Sequence, residues 1–419
     1  MTKDNSNTRT PIIRFQGFNG EWKKKKIGDI AIVLQGYGFP EKYQGQKYGD
    51  LPFCKVGDIS SAVDRGEMVI NKADNFVDYS LLPVLHAQPI PVGSTIFAKI
   101  GEAIRSNKRI KTGVPCLIDN NAAAVKSKGE ISDTFLFYLM SKVNLADYSG
   151  GIVPSVNKST IEAIDVLVPS SRDEQQKIAE CLEAIDQMIS AQNQKVESLK
   201  VHKKGLMQQI FPQPGTTTPA LRFPGFTGKW QEKKLNKVFS RVTRKNAENN
   251  QNVLTISAQY GLISQLEFFK KSVASSDVTG YYLLHRGEFA YNKSSSQGRP
   301  VGAIKPLRLY DKGVVSTLYI CFKCNNPEEI AFWEQYFDAG ILDSEILSIA
   351  QEGARNHGLL NISTGDFFGL NVILPTPPEM KKIAECLSSF DDVITAAENE
   401  LDSLKAHKKG LMQQLFPQL

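Results

Sequence analysis

The chain has 419 residues, 41% hydrophobic and 22% charged, with a formal net charge of +6 and a pI near 8.8. That length holds roughly two to four domains of ordinary globular composition. The mild basic excess fits a polyanionic partner without requiring one. No run of 18 uncharged apolar residues offers a membrane span, and six scattered cysteines fit reduced thiols in the cytoplasm.

Residues Met1 to Arg14 are polar and lack the apolar segment of a secretory signal. Arg14-Phe-Gln-Gly-Phe-Asn-Gly-Glu-Trp22 then opens a first head of mixed α/β character. In it, Ile90-Pro-Val-Gly-Ser-Thr-Ile-Phe-Ala98 reads as a turn followed by a strand, and Thr134–Val143 as a helix. Ser159-Thr-Ile-Glu162 has the Ser-x-x-acid pattern of a helix start. The chemistry gathers between Lys99 and Lys111. Arg105, Asn107, Lys108 and Arg109 stand together with no acid among them, and Lys111 follows. Arginine reads guanine edges bidentately, asparagine reads adenine edges, and lysine neutralises phosphates. A solvated basic loop would have the same composition. Asn120-Asn121 and the stretch from Gly150-Gly151 to Asn157-Lys158-Ser159 supply further donors, of types that also serve turns and caps.

From Ile178 the apolar positions run Ile178, Leu182, Ile185, Ile189, Val196, Leu199, Leu206 and Ile210. The spacing alternates between four and three, with Gln192 and Lys203 in the two remaining seam positions. This heptad stripe predicts a helix of about 33–38 residues, roughly 50–57 Å long, that needs a partner helix along a narrow seam. Phe211-Pro212 ends it, and a linker rich in Pro, Thr and Gly runs to Gly225.

Arg222-Phe-Pro-Gly-Phe-Thr-Gly-Lys-Trp230 repeats the opening signature and begins a second head. Gly287-Glu-Phe-Ala-Tyr-Asn-Lys293 echoes Gly93-Ser-Thr-Ile-Phe-Ala-Lys99, and the heads are otherwise barely alike. Asn292, Lys293, Ser294, Ser295, Gln297 and Arg299 form a polar, basic loop after a strand, and Arg355 and Asn356 lie in a second one. Thr317–Phe322 has strand composition, Glu328–Asp338 reads as helix, and Ser363-Thr-Gly-Asp366 again marks a helix start. A second stripe closes the sequence: Ile383, Leu387, Phe390, Ile394, Ala397, Leu401, Leu404, Leu411 and Leu415, with Lys408 in the seam.

The two stripes are one segment written twice. Lys177-Ile-Ala-Glu-Cys-Leu182 recurs at 382–387, and His202-Lys-Lys-Gly-Leu-Met-Gln-Gln209 at 407–414, both displaced by 205 residues. A repeated frame thus carries two different heads. The expected class is α+β: two mixed α/β heads joined by two long antiparallel coiled-coil helices, with pseudo-two-fold symmetry and the ends near Phe15 and Phe416 close together. No reaction centre emerges. Cys321 and Cys324 lack a second ligand pair at zinc-finger spacing, the histidines are dispersed, and phosphate-loop and methyltransferase motifs are missing.

The layout resembles the specificity subunits of type I restriction-modification systems over essentially the whole chain. The matching segments are Leu51-Pro-Phe-Cys-Lys-Val-Gly-Asp-Ile59, the Ile100–Arg109 loop, Pro154-Ser-Val-Asn-Lys-Ser159, Pro169 with Glu174-Gln-Gln-Lys-Ile178, and Gly353–Asn361. Glu379-Met-Lys-Lys-Ile383 departs from the usual Glu-Gln. The resemblance implies target-recognition domains at 1–170 and 213–376 and conserved helices at 171–212 and 377–419. It implies that the heads read the two halves of a split, asymmetric site on double-stranded DNA. It also implies two modification subunits that carry S-adenosylmethionine and methylate adenine N6. Restriction subunits, translocases and endonucleases that use ATP and Mg2+, complete the implied complex. The chain itself would bind no cofactor or metal and catalyse nothing. Two other readings compete: a protein-binding scaffold on a coiled-coil spacer, which makes the basic loops incidental, and a self-sufficient methyltransferase or nuclease, which the missing motifs oppose.

Overall fold

The computed structural model describes residues 9–257, 261–269, 277–294, 300–350 and 360–417. The chain forms two compact units. Unit 1 comprises Met1–Val196 and Ala396–Leu419, and unit 2 comprises Glu197–Thr395.

Unit 1 contains ten short strands: β1 (Lys23–Lys26), β2 (Ala31–Gln35), β3 (Leu51–Cys54), β4 (Val69–Ile70), β5 (Phe76–Val77), β6 (Thr95–Ala98), β7 (Ile110–Thr112), β8 (Leu117–Ile118), β9 (Ala122–Ser127) and β10 (Asp165–Val168). They form a five-stranded sheet in the order β2-β9-β6-β7-β4, a three-stranded sheet β5-β3-β8, and the antiparallel pair β1-β10. The turn and strand expected at Ile90–Ala98 are present: Gly93 takes φ +79 ahead of β6, and all four β6 residues are buried. Ala122, Ala123 and Ala124 at the start of β9 are buried too. Ala123 lies in one core cluster with the helix Asp133–Lys142, whose Phe135, Leu136 and Met140 join Trp22, Phe97 and Val125, whereas Ala122 and Ala124 lie in a second with Ile59, Ile96 and Ile110.

Unit 2 continues with β11 (Gln231–Lys234), β12 (Phe239–Arg241), β13 (Leu254–Ser257), β14 (Gly261–Ser264), β15 (Tyr282–His285), β16 (Phe289–Asn292), β17 (Ala303–Pro306), β18 (Lys312–Val315), β19 (Ile320–Cys324) and β20 (Asn371–Leu374). Its largest sheet runs β12-β19-β16-β17, with pairs β11-β20, β13-β14 and β15-β18. The core is aromatic: Phe239, Phe289, Phe322, Trp333 and Phe337 stack at centroid distances of 4.7 to 6.1 Å. Thr317–Tyr319 stay outside β19, which begins at Ile320. The helix start expected at Ser363 is present, its hydroxyl accepting from Asp366 N. The one expected at Ser159 is not. The cap there is Asn157, which accepts from Thr160 N, and Ser159 already lies inside the helix Lys158–Ala163.

The two stripes form helices Arg172–Ile210 and Pro377–Leu415, of 39 residues each. They are slightly longer than their stripes predict, about 58 Å, and run unbroken through Gly205 and Gly410. Along the first, Ile178, Leu182, Ile185 and Val196 are buried and Ile189, Leu199 and Leu206 half-buried. Along the second, Ile383, Leu387, Ile394 and Leu401 are buried and Phe390, Leu404 and Leu411 half-buried. Within unit 1, Gln192 Nε2 donates to Ala397 O at 2.9 Å and Lys408 Nζ to Asp186 Oδ1 at 2.5 Å. Within unit 2, Lys203 Nζ donates to Asp391 Oδ1 at 2.6 Å and the His202 ring stacks on Phe390. In unit 1 the residue numbers of the paired positions run in opposite directions. The three polar residues in the seams are therefore partnered across them.

Candidate nucleic-acid interface

Each head is fixed to the frame by the same polar clamp. In unit 1 the Arg14 guanidinium grips the Glu174 carboxylate through Nε and Nη2, both at 2.7 Å, and donates from Nη1 to Gly20 O. In unit 2, Arg222 grips Glu379 at 2.7 and 2.8 Å and donates to Gly228 O. Both carboxylates are only 1% exposed. Bidentate pairing with Arg is the geometry that sustains such burial. Phe416 packs edge-on against Trp22, and Phe211 against Trp230, at 5.8 and 6.3 Å. Ile13 N donates to Gln414 O, and Leu221 N to Gln209 O. Phe15 joins Phe416 in the unit 1 core.

The sheet register of unit 1 brings several loops to one end. β2 ends at Gln35 opposite Ala123, and β6 ends at Ala98 opposite Ala122, where β9 begins. The chain leaving β2, the chain leaving β6, and Asn120-Asn121 therefore emerge together. Backbone bonds tie them: Lys99 N to Asn121 O, Tyr37 N to Ile118 O, and Val156 N to Lys99 O. Lys99 Nζ reaches toward Gln35 Oε1, at 3.4 Å, and burial pulls its pKa down.

The basic cluster divides by environment. Arg105 is exposed, 66% of its side chain open to solvent, beside Glu102 at 2.9 Å. Lys108 pairs with Asp64 and Lys111 with Glu183 of the first long helix. Asn107 takes a left-handed φ of 50, donates to Ser141 O and accepts from Arg109. Arg109 is inside, 7% exposed. Its guanidinium lies 4.7 Å over the Phe97 ring and donates to Lys108 O, Asn107 Oδ1 and Val143 O, with Nε buried and unpartnered. Burial pushes its pKa down to about 9. In this structure Asn107, Arg109, Lys111 and Asn157 are engaged in internal bonds, an ion pair and a helix cap. Lys99, Arg105 and Lys158 remain at the sheet end.

One loop at this end is not singled out by the sequence analysis. Between Gly36 and Tyr48, aromatic residues alternate with Lys and Gln. Lys42 lies 4.7 Å over the Tyr43 ring, Phe39 stacks on Phe53 at 3.8 Å, and Tyr48 is 86% exposed. Stacking and charge on one segment suit nucleic acid, and the alternation itself was the legible signal.

Unit 2 repeats the geometry. β12 ends at Arg241 opposite Phe322, β19 starts at Ile320, and β16 ends at Asn292 opposite Ala303. Leu360 N donates to Lys293 O, as Val156 N does to Lys99 O. Asn292 Oδ1 accepts from Ser294 N, and Lys293 Nζ points to Ile362 O at 3.4 Å. Ser295, Gln297, Arg299, Arg355 and Asn356 lie outside the described residues. Cys321 and Cys324 sit in β19 as thiols that burial pushes up to about 12 and about 11. Among the described residues no three His, Cys, Asp or Glu side chains converge on a metal geometry, and no helix is long and apolar enough to cross a membrane.

Residues 19–201 match the family model described as type I restriction modification DNA specificity domain. The chain is 25% identical over 193 residues to the type I restriction enzyme MjaIX specificity subunit of Methanocaldococcus jannaschii, a match covering 43% of this chain and 41% of that protein. It is 25% identical over 425 residues to the MjaVIII specificity subunit of the same organism, covering 94% and 92%. In fold it is similar to the type I restriction-modification S subunit from M. genitalium, with TM-score 0.57 at 12% identity over 98% of this chain and all of that one. A chain from a structure on complex assembly and conformational transition of the type I R-M system aligns with TM-score 0.52 at 13% identity, over 94% and 97%. With its internal duplication and the match of residues 19–201 to the specificity domain, the chain is similar to the specificity subunits of type I restriction-modification systems.

Proposed function

We propose that this chain is the DNA-reading subunit of a type I restriction-modification complex acting in the cytoplasm. Each unit's head reads one half of a bipartite, asymmetric site on double-stranded DNA. The two long helices act as an antiparallel coiled coil that holds the half-site readers at a fixed separation, with target-recognition domains at 1–170 and 213–376. The chain is not itself the catalyst. Two modification subunits bring S-adenosylmethionine and methylate adenine N6, and restriction subunits bring ATP and Mg2+. The observation that carries this reading is the duplicated clamp, Arg14–Glu174 and Arg222–Glu379, holding two heads whose loops differ at the same end of two sheets with corresponding strand order. A structure built only for stability has no reason to keep the frame and vary the loops.

A salt titration of duplex binding by the chain assembled with its modification subunits tests it. Neutralising six to ten phosphates makes affinity fall by roughly 10³–10⁵ between 50 and 200 mM salt. Site-specific binding with that steep slope is expected. Duplex binding that is absent or indifferent to salt would return the chain to the scaffold reading.

A further inference from the structure

The hairpin tip Gly151-Ile152-Val153-Pro154 carries two branched apolar side chains into water. Ile152 is fully exposed, at 105%, and Val153 is 60% exposed. Neither adds burial to the fold, yet the backbone around them is fixed. Gly150 and Ser155 exchange a pair of backbone bonds at 3.3 Å, Gly101 N donates to Pro154 O at 2.8 Å, and Gly151 turns the chain at φ +90. These bonds tie the tip to the loop bearing Lys99 and Arg105, and Lys158 opens the helix that follows. The nearby acids Glu102 and Glu162 are each paired to a cation, Arg105 and Lys158.

We propose that Ile152 is a specificity-determining residue that contacts the C5-methyl group of a thymine in the half-site read by unit 1. The inference rests on the DNA-reading function proposed above. A narrow apolar point among polar and ion-paired groups (Lys99, which feels Asp119, with Arg105–Glu102 and Lys158–Glu162) fits a groove whose one apolar base feature is the thymine methyl. A protein partner would call for a broader apolar patch, whereas this tip is flanked by glycine and serine. The contact belongs to one half-site only. Four residues before Val156 stands Ile152, but four before the equivalent Leu360 stands Asn356.

The test uses the chain assembled with its modification subunits and the duplex identified by sequencing the methylated motif. Deoxyuridine, which lacks the methyl, replaces thymidine position by position. The wild-type complex is expected to lose about three- to tenfold in affinity at one thymine of one half-site, the scale of one lost apolar contact. Ile152→Ala should bind the thymidine and deoxyuridine duplexes equally at that position and keep every other discrimination and the salt slope. Ile152→Ala that retains the full wild-type pattern overturns the proposal. So does a variant that weakens all duplexes alike, or one that weakens assembly with the modification subunits while base discrimination persists. A wild-type complex that does not distinguish its site from random duplex overturns the DNA reading as well.

Discussion

Units 1 and 2 are clamped alike and filled differently. Both hold a head through a bidentate Arg–Glu pair, and both build their main sheet in one order: β2-β9-β6-β7 corresponds to β12-β19-β16-β17, antiparallel throughout. Only unit 1 adds β4 to that sheet and places the sheet β5-β3-β8 beside it. The clamps differ in one atom. Trp22 Nε1 donates to Glu174 Oε1 at 3.3 Å, whereas Trp230 Nε1 is buried without a partner. The helix aspartates differ in what they hold: Asp186 accepts from Tyr138, and Asp391 from Gln335. Burial and the Asp186 carboxylate hold the Tyr138 hydroxyl protonated, its pKa well above the usual value. What is shared concerns holding a head in place, and what differs concerns what the head presents.

The comparison breaks most visibly at the clamps. Glu174→Ala strands a largely buried arginine and an indole N–H, and should cost roughly 3–5 kcal/mol. Glu379→Ala strands only the arginine and should cost about 1 kcal/mol less, the worth of one net hydrogen bond. Urea denaturation combined with hydrogen exchange, read separately on peptides of each unit, measures both; equal losses would show that the Trp22 bond is inert. Next comes Arg109→Ala, expected to destabilise unit 1 by roughly 2–4 kcal/mol, because three carbonyl oxygens lose a donor and a ring loses its cation. The methylated motif should not change, and a changed motif would restore Arg109 to the reading surface.

Smaller effects sharpen the contrast. Lys408→Met leaves Asp186, 6% exposed, without its cation, while Lys203→Met leaves Asp391, 46% exposed, able to turn to water. The first should cost about 1–3 kcal/mol and the second under about 1 kcal/mol, by the same denaturation measurement. The reverse order would mean that burial does not govern these pairs. Arg105→Ala should leave stability unchanged within about 0.5 kcal/mol. If Arg105 is bidentate to a base, the variant should relax one half of the recognised motif by about 1–3 kcal/mol, read as methylation of altered sites.

The helices were legible because heptad stripes sustained over eight and nine apolar positions have no competing explanation in strand or loop. The partners of the polar interruptions were not. Lys203 and Lys408 carry nothing locally that points to an aspartate 188 or 222 residues away. The common strand order of the heads was hidden because strands of two to six residues leave too few positions for a pattern. Residue type alone made Arg105 and Arg109 equivalent, four apart in one basic run. Only the placement of Phe97 and Val143, from a strand and a helix end, sends one inward. Asn157 was read as a possible donor to DNA, yet it sits where its side chain closes a helix start, a role its residue type favours.

The paired lysines and aspartates also follow the repeat. Lys203 lies 205 residues before Lys408, and Asp186 lies 205 before Asp391. Lys203 bonds Asp391, and Lys408 bonds Asp186, so each lysine reaches the aspartate of the other repeat. Written in a single repeat, both bonds become one: a lysine meeting the aspartate of a second, identical polypeptide. One repeat thus carries both partners of the bond, so two copies of it can make the bond twice, once in each direction.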